Sequence, residues 1–212
     1  INTEPGSALL HLGMSGSISI LENDQPLKKH DHFDLIVDDN RIIRFNDPRR
    51  FGSFIWAGKR PEKHKLLSKL GPEPLENEFL GSHLYDLSKN RKTSIKAFIM
   101  NAQVVVGVGN IYASEVLFTS GIHPKRKANR ISKDRYMQLA SAIQETLKRA
   151  IAKGGTTLRD FSYSHGGKKI GYFQQELFTY GREGSKCKNC SKPIKQIMLS
   201  GRSSFYCSGC QH

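Results

Sequence analysis

The chain has 212 residues, 37% of them apolar, with 33 Lys or Arg against 19 Asp or Glu and a formal net charge of +14. That composition excludes a low-complexity or disordered chain and leaves room for one large or two small domains. With no repeat, long apolar run or lipidation motif in the sequence, no membrane partner is expected. The first third reads as strands: Ala8–Leu12, Ser17–Leu21, His32–Val37, Ile42–Phe45 and Phe51–Trp56 are short apolar or alternating runs. Gly13, Gly16, Asp39-Asn40 and Asp47-Pro48 punctuate them, the spacing of an antiparallel sandwich or barrel. Beyond Gly71-Pro72-Glu73-Pro74 the period becomes helical. It predicts helices over Ser82–Leu87, Ser94–Asn101, Ile111–Ser120 and Ser132–Ala152, the last with Leu139, Ile143, Leu147 and Ile151 on one core-facing stripe.

Charge is unevenly placed along this order. Residues 1–123 carry 15 Lys+Arg and 14 Asp+Glu, whereas residues 124–212 carry 18 and 5. The C-terminal part is therefore predicted to meet a polyanion.

All four cysteines lie near the end, as Cys187-x2-Cys190 and Cys207-x2-Cys210. Two close pairs joined by a hairpin suit the tetrahedral thiolate coordination of one structural Zn²⁺, which would lower the net charge by two. Between the pairs, Ile194–Leu199 and Ser203–Tyr206 read as strands joined at Ser200-Gly201-Arg202. Arg202 at such a tip suits a phosphate, and equally a solvated surface Arg.

Gly107-Val108-Gly109-Asn110 joins two predicted helices. Glycines there would let a phosphate approach a helix N-terminus, with Asn110 adding a side-chain donor; a packing corner explains the same glycines.

Three further motifs are His11-Leu12-Gly13-Met14-Ser15-Gly16, Asp47-Pro48-Arg49-Arg50-Phe51-Gly52 and Gly154-Gly155-Thr156-Thr157-Leu158-Arg159-Asp160-Phe161. With the glycine turn and the cysteines they closely resemble the formamidopyrimidine-DNA glycosylase family, bacterial base-excision enzymes for 8-oxoguanine and ring-opened purines. The match runs along nearly the whole chain, through Leu70-Gly71-Pro72-Glu73-Pro74-Leu75, Glu115, His123-Pro124, Gly171-Tyr172-Phe173, Tyr180-Gly181-Arg182 and Phe205-Tyr206-Cys207 to Gln211. The resemblance implies an α+β fold. Residues 1–71 would be the remainder of an N-terminal β-sandwich, 72–160 a helical domain with a helix–two-turn–helix at 94–124, 161–180 a lesion-recognition loop and connector, and 181–212 the zinc ribbon.

The resemblance also implies roles. Met14, Arg49 and Phe51 would fill the gap left by a flipped nucleotide, an apolar wedge and an aromatic replacing lost stacking and the Arg pairing with the widowed base. Taken alone, Met14 and Phe51 suit a core equally well. His11, His30, Arg91, Asn110 and Arg202 would grip phosphates around the lesion, with Arg202 also serving the late elimination step. Lys168 and Lys169 lie in the 161–173 loop that would close on the extruded base. The expected partner is duplex DNA containing oxidised purines, and the expected state is a cytoplasmic, nucleoid-associated monomer.

In this family an N-terminal proline amine attacks the sugar, expels the base and drives β,δ-elimination through a Schiff base. The chain opens at Ile1 without an initiator Met and so reads as a fragment, which would place that proline and its glutamate and lysine assistants before residue 1. The 212 residues are accordingly expected to bind DNA without excising a base. Lys96 is the nearest amine of similar chemistry, expected as a solvated helix-surface lysine. Two alternatives stand beside this reading. One is a non-catalytic zinc-ribbon DNA-binding protein. The other is an endonuclease VIII-type glycosylase for oxidised pyrimidines, which shares the glycine turn and the ribbon but differs at the counterpart of Gly13-Met14-Ser15.

Overall fold

The computed structural model describes residues 1–22, 25–38, 41–76, 79–155, 164–165, 168–169 and 177–212. Two compact units follow the chain: Ile1–Ser68 with Thr157–Ile170, and Lys69–Thr156 with Gly171–His212.

Among the described residues, the first unit opens with the short strands β1 (Asn2–Thr3), β2 (Gly6–His11), β3 (Ser17–Glu22), β4 (Asp31–Asp38), β5 (Arg41–Asn46) and β6 (Ser53–Gly58). They form two antiparallel sheets ordered β1-β2-β6 and β3-β5-β4. Register sets Arg44 opposite Asp34 and Phe45 opposite Phe33, so β5 carries an ion pair on one face and an aromatic contact on the other. Arg44 donates to both Asp34 oxygens, at 2.8 and 2.7 Å. The Phe33 ring lies 5.1 Å from Phe45 and 4.9 Å from Phe54 of β6, joining the two sheets. The strand expected from Phe51 instead begins at Ser53, because residues 47–52 are held in a loop by the Asp47 carboxylate. A two-residue-strand hairpin, β7 (Ser164–His165) with β8 (Lys168–Lys169), belongs to the same unit.

The second unit packs four helices, α1 (Gly81–Ser88), α2 (Ile95–Ile99), α3 (Asn110–Thr119) and α4 (Lys133–Ala152), with the hairpin β9 (Ile194–Leu199) and β10 (Arg202–Cys207). Ser94 and Ser132 cap α2 and α4, their hydroxyls accepting from the N–H groups of Ala97 and Arg135. Two turns connect α2 to α3 and shorten the expected helix at its end, where the Asn101 carbonyl takes the N–H groups of Val104 and Val105. The core gathers Leu84, Ile95, Ile99, Val105, Leu117 and Tyr136 around the α4 stripe of Leu139, Ile143 and Leu147. Ile151, expected on that stripe, is 65% exposed, one residue before α4 ends; the adjacent Ala150 is the residue that packs, against Leu177, Ile111 and Tyr112.

The ribbon docks on the far end of α3. Phe118 packs with Ile194, Phe205, Cys187 and Cys207, while the Gln211 amide donates to the Ile122 carbonyl and accepts from the Cys207 N–H. Glu115, buried on α3, accepts from the N–H groups of Phe178, Thr179 and Tyr180 and from the Thr179 hydroxyl, at 2.7–3.0 Å. That carboxylate anchors the segment entering the ribbon.

Leu139 is fully buried in the helical core. Leu139→Ala should cost about 3 kcal/mol of stability, as lost transfer energy plus a residual cavity, read as a lower urea midpoint with an unchanged slope.

Candidate nucleic-acid interface and zinc centre

In the first unit the arrangement starts from Asp47, which is buried without an ion pair among the described residues. Its Oδ1 accepts from the Ser15 hydroxyl at 2.7 Å and from the Arg49 N–H at 3.3 Å, and its Oδ2 from the Gly52 N–H at 2.7 Å. The Ser15 hydroxyl, with these N–H groups behind it, holds the carboxyl below the usual carboxylate range against the opposing effect of burial. The Asp47 backbone N–H donates to the His30 carbonyl, and its own carbonyl lies 2.8 Å from His32 Nε2. One residue thus ties together the turns that carry Met14, His30, Arg49 and Phe51.

Gly13 brings the first of these turns onto the loop. A Cβ there would stand 2.6 Å from the Phe51 carbonyl carbon, and φ is +65°, so only glycine fits. As a result Met14 and Phe51 are each 58% exposed, with the Arg49 guanidinium 4.9 Å from the Phe51 ring centroid. The core alternative for these two side chains is thereby overturned. His11 is exposed at the end of β2, its Nδ1 accepting the Gly13 N–H at 3.0 Å.

In the second unit, neither Gly107 nor Gly109 is required by packing. The nearest atom to a Cβ on Gly107 would be Leu147 Cδ1 at 4.0 Å, and none lies within 4 Å of one on Gly109. Gly107 instead supplies a positive φ of 78°, and Gly109 is the N-cap of α3 with no side-chain cap. The first N–H groups of α3 therefore have open space before them, beside Asn110, whose Oδ1 is buried without a partner. Arg91 is exposed shortly after α1.

The ribbon hairpin turns on Ser200 and Gly201, both at positive φ (49° and 72°), in a two-residue loop that pairs Leu199 with Arg202. Arg202 is therefore the first residue of β10 rather than the tip, and it is exposed. Behind it sits Lys96, expected on the surface but only 1% exposed. Its Nζ donates to the Ser203 carbonyl at 3.0 Å and to Ser204 Oγ at 2.8 Å. Burial, with the nearby Arg202 charge, pushes the Lys96 ammonium down to about 8. Lys168 and Lys169 pair with the backbone of β7, but their side chains, and most of the 161–173 loop, lie outside the described residues.

The Sγ atoms of Cys187, Cys190, Cys207 and Cys210 all lie within 4.8 Å of one another. Cys187 and Cys210 are 3.8 Å apart, and Cys190 and Cys207 3.4 Å. Four thiolates bound about 2.3 Å from one tetrahedral ion stand about 3.8 Å apart, so the set fits Zn²⁺. Backbone N–H groups of Asn189 and Gly209 donate to Cys187 and Cys207, an arrangement that stabilises thiolate rather than thiol. The four cysteines are a structural zinc site.

Metal removal by a chelator should open residues 187–210 to protease while leaving the α4 core helical by circular dichroism, since thiolate–zinc binding carries the folding of so small an apolar cluster. Lys96 gives a pH signature. Its proton is released on folding between the folded value of about 8 and the unfolded value of 10.5, so stability should rise with pH across that window. Lys96→Met should flatten the rise relative to the wild-type chain when urea midpoints are compared at pH 7.5 and 10.

Comparison with known proteins places this geometry. Residues 1–54 match the model of the formamidopyrimidine-DNA glycosylase N-terminal domain, and residues 70–162 that of the formamidopyrimidine-DNA glycosylase H2TH domain. The formamidopyrimidine-DNA glycosylase of Marinobacter nauticus is 53% identical over 211 residues, covering 100% of this chain and 77% of that protein. That of Stenotrophomonas maltophilia strain R551-3 is 52% identical over 213 residues, with the same coverage. Lactococcus lactis Fpg in complex with abasic-site DNA superimposes with a TM-score of 0.86 at 32% identity, over 96% of this chain and 74% of that one. The MutM (Fpg) protein of Thermus thermophilus gives 0.84 at 33% identity, over 96% and 75%. The chain belongs to the formamidopyrimidine-DNA glycosylase family.

Proposed function

We propose that this chain recognises oxidised purines in duplex DNA for base-excision repair, as part of a bifunctional glycosylase and abasic-site lyase. The observation that carries the reading is the rigid display of Met14, Arg49 and Phe51 on two turns held by one buried carboxylate. Large apolar side chains left in water on a fixed backbone gain energy only when a partner covers them. A base stack opened by extrusion of one nucleotide is such a partner, and the Arg49 guanidinium supplies donors for the base left without its mate. Relatives support the choice of lesion: Lactococcus lactis Fpg structures contain abasic-site and Fapy-dG DNA.

Phosphate handling is assigned to His11, His30, Arg91, Asn110 and Arg202. In the second unit the open α3 N-terminus supplies backbone donors, and Arg202 stands on a hairpin held rigid by zinc and Lys96. Arg202 would stabilise phosphate charge as the 3′ and 5′ bonds are eliminated, and Lys168 and Lys169 would approach the strand beside the extruded base. No side chain among the described residues is assigned to the Schiff-base step. Lys96 offers no substitute, because its amine is enclosed by Ser203 and Ser204.

The test separates a base-flipping protein from a non-catalytic zinc-ribbon DNA binder. Alanine at Met14, Arg49 and Phe51 together should reduce affinity for an 8-oxoguanine duplex roughly tenfold to hundredfold, the uncompensated cost of unstacking, and leave undamaged-duplex affinity almost unchanged. Unaltered lesion preference in that variant would decide for the simple DNA binder.

A further inference from the structure

Segments 89–96 and 121–133 hold nine Lys or Arg and no Asp or Glu. The fold lays them side by side. The Ile95 N–H donates to the Arg126 carbonyl at 2.7 Å, that of Ala128 to Thr93 at 2.9 Å and that of Asn129 to Arg91 at 3.1 Å, an antiparallel ladder with a bridge at Ser94 and Lys127. Lys96 is buried and Lys89 pairs with Asp86 at 2.7 Å. Arg91, Lys92, Lys125, Lys127 and Arg130 remain exposed, and none forms an ion pair among the described residues. The like charges that this ladder holds together raise the folded state's self-repulsion, a cost that a polyanionic partner would offset.

The ridge is joined to the ribbon. The ladder ends where the Lys96 N–H donates to the Pro124 carbonyl, and the Lys96 side chain reaches Ser203 and Ser204 of β10. The adjacent His123 ring lies edge-on to Tyr206 of the same strand, at 4.6 Å between centroids. The ladder is therefore fixed, through the buried Lys96 and the His123 ring, to the strand that starts with Arg202. Regularly placed negative charge on a stiff ligand satisfies such a surface, and the backbone of a duplex supplies it.

Building on the glycosylase reading, we propose that Lys92, Lys125 and Lys127 form a second phosphate track that grips undamaged duplex beyond the lesion. The track adds affinity and carries no lesion information, so it would hold the protein on DNA during search. The test uses the full chain with zinc bound, and 8-oxoguanine and undamaged duplexes of roughly 15 and 30 base pairs, about one and a half and three helical turns. Affinity is measured across salt concentration for the wild type, a Lys92→Ala, Lys125→Ala, Lys127→Ala triple variant and the matching triple Lys→Arg control. On the long duplex the alanine variant should lose about 1 from the log–log salt slope per charge, so about 2 to 3 in all. The arginine control should keep the wild-type slope. On the short duplex wild type and variant should agree, and the ratio of lesion to undamaged affinity should match throughout. An unchanged slope on the long duplex overturns the track; so does a loss of lesion preference confined to the alanine variant, which would put these lysines on the lesion itself. A wild-type chain without lesion preference fails the glycosylase reading instead, and the slope difference still decides the track.

Discussion

An ionised side chain removed from water must be compensated by hydrogen bonds, and a buried charge that lacks a counter-ion must find its partners among neutral groups. The protein applies this constraint three times. Asp47 takes the Ser15 hydroxyl and two backbone N–H groups, Glu115 takes three N–H groups and a hydroxyl, and Lys96 gives to a carbonyl and a hydroxyl. In each case a partner lies far along the chain. Because partial satisfaction is costly, each cluster forms completely or the local fold fails, and the segments it joins acquire one geometry.

That rigidity matters because of what the segments carry. Met14 and Phe51 stand in water on turns that a flexible loop would fold back over the β-sheets to bury their apolar area. The Asp47 cluster and the contact at Gly13 prevent the retreat. Under the proposed function, the cost of exposure borne by the free protein would be recovered when a gap in a base stack covers the side chains. Pre-organisation of this kind removes most of the ordering entropy from the binding step.

The ribbon meets the same difficulty by other means. Its apolar cluster is small, and four thiolates alone would repel one another. Zinc turns that repulsion into coordination, while Glu115, Gln211 and Lys96 attach the ribbon to α3 and α2. Arg202 therefore stands on a platform fixed at both its metal end and its base. Under the proposed function, the strongly basic residues 124–212 would supply general attraction for a polyanion, and the nearly neutral residues 1–123 hold the side chains proposed to read a distorted stack.

The zinc ligands, the succession of strands and then helices, and the glycine turn were legible in the residues because each depends on neighbours a few positions away. Cys-x2-Cys spacing is a local geometry, and strand and helix periods repeat every 2 and 3.6 residues. Other features required the folded chain. Phe51 has strand character by itself and becomes loop only because Asp47 captures the Gly52 N–H. Ile151 continues the stripe of α4 by spacing, yet at the end of the helix it is the adjacent Ala150 that packs against Leu177 and α3, and Ile151 is left exposed. Lys96 resembles a surface lysine until strand β10, 107 residues away, closes over it. Glu115 is one carboxylate among many until Thr179 and its neighbours wrap around it. Side-chain chemistry and short-range spacing are enough to mark which residues could bind metal, meet phosphate or enter a base stack. Tertiary structure alone decided which of them are held rigid and which are buried, since a buried charge is defined by groups that only the complete fold brings to it.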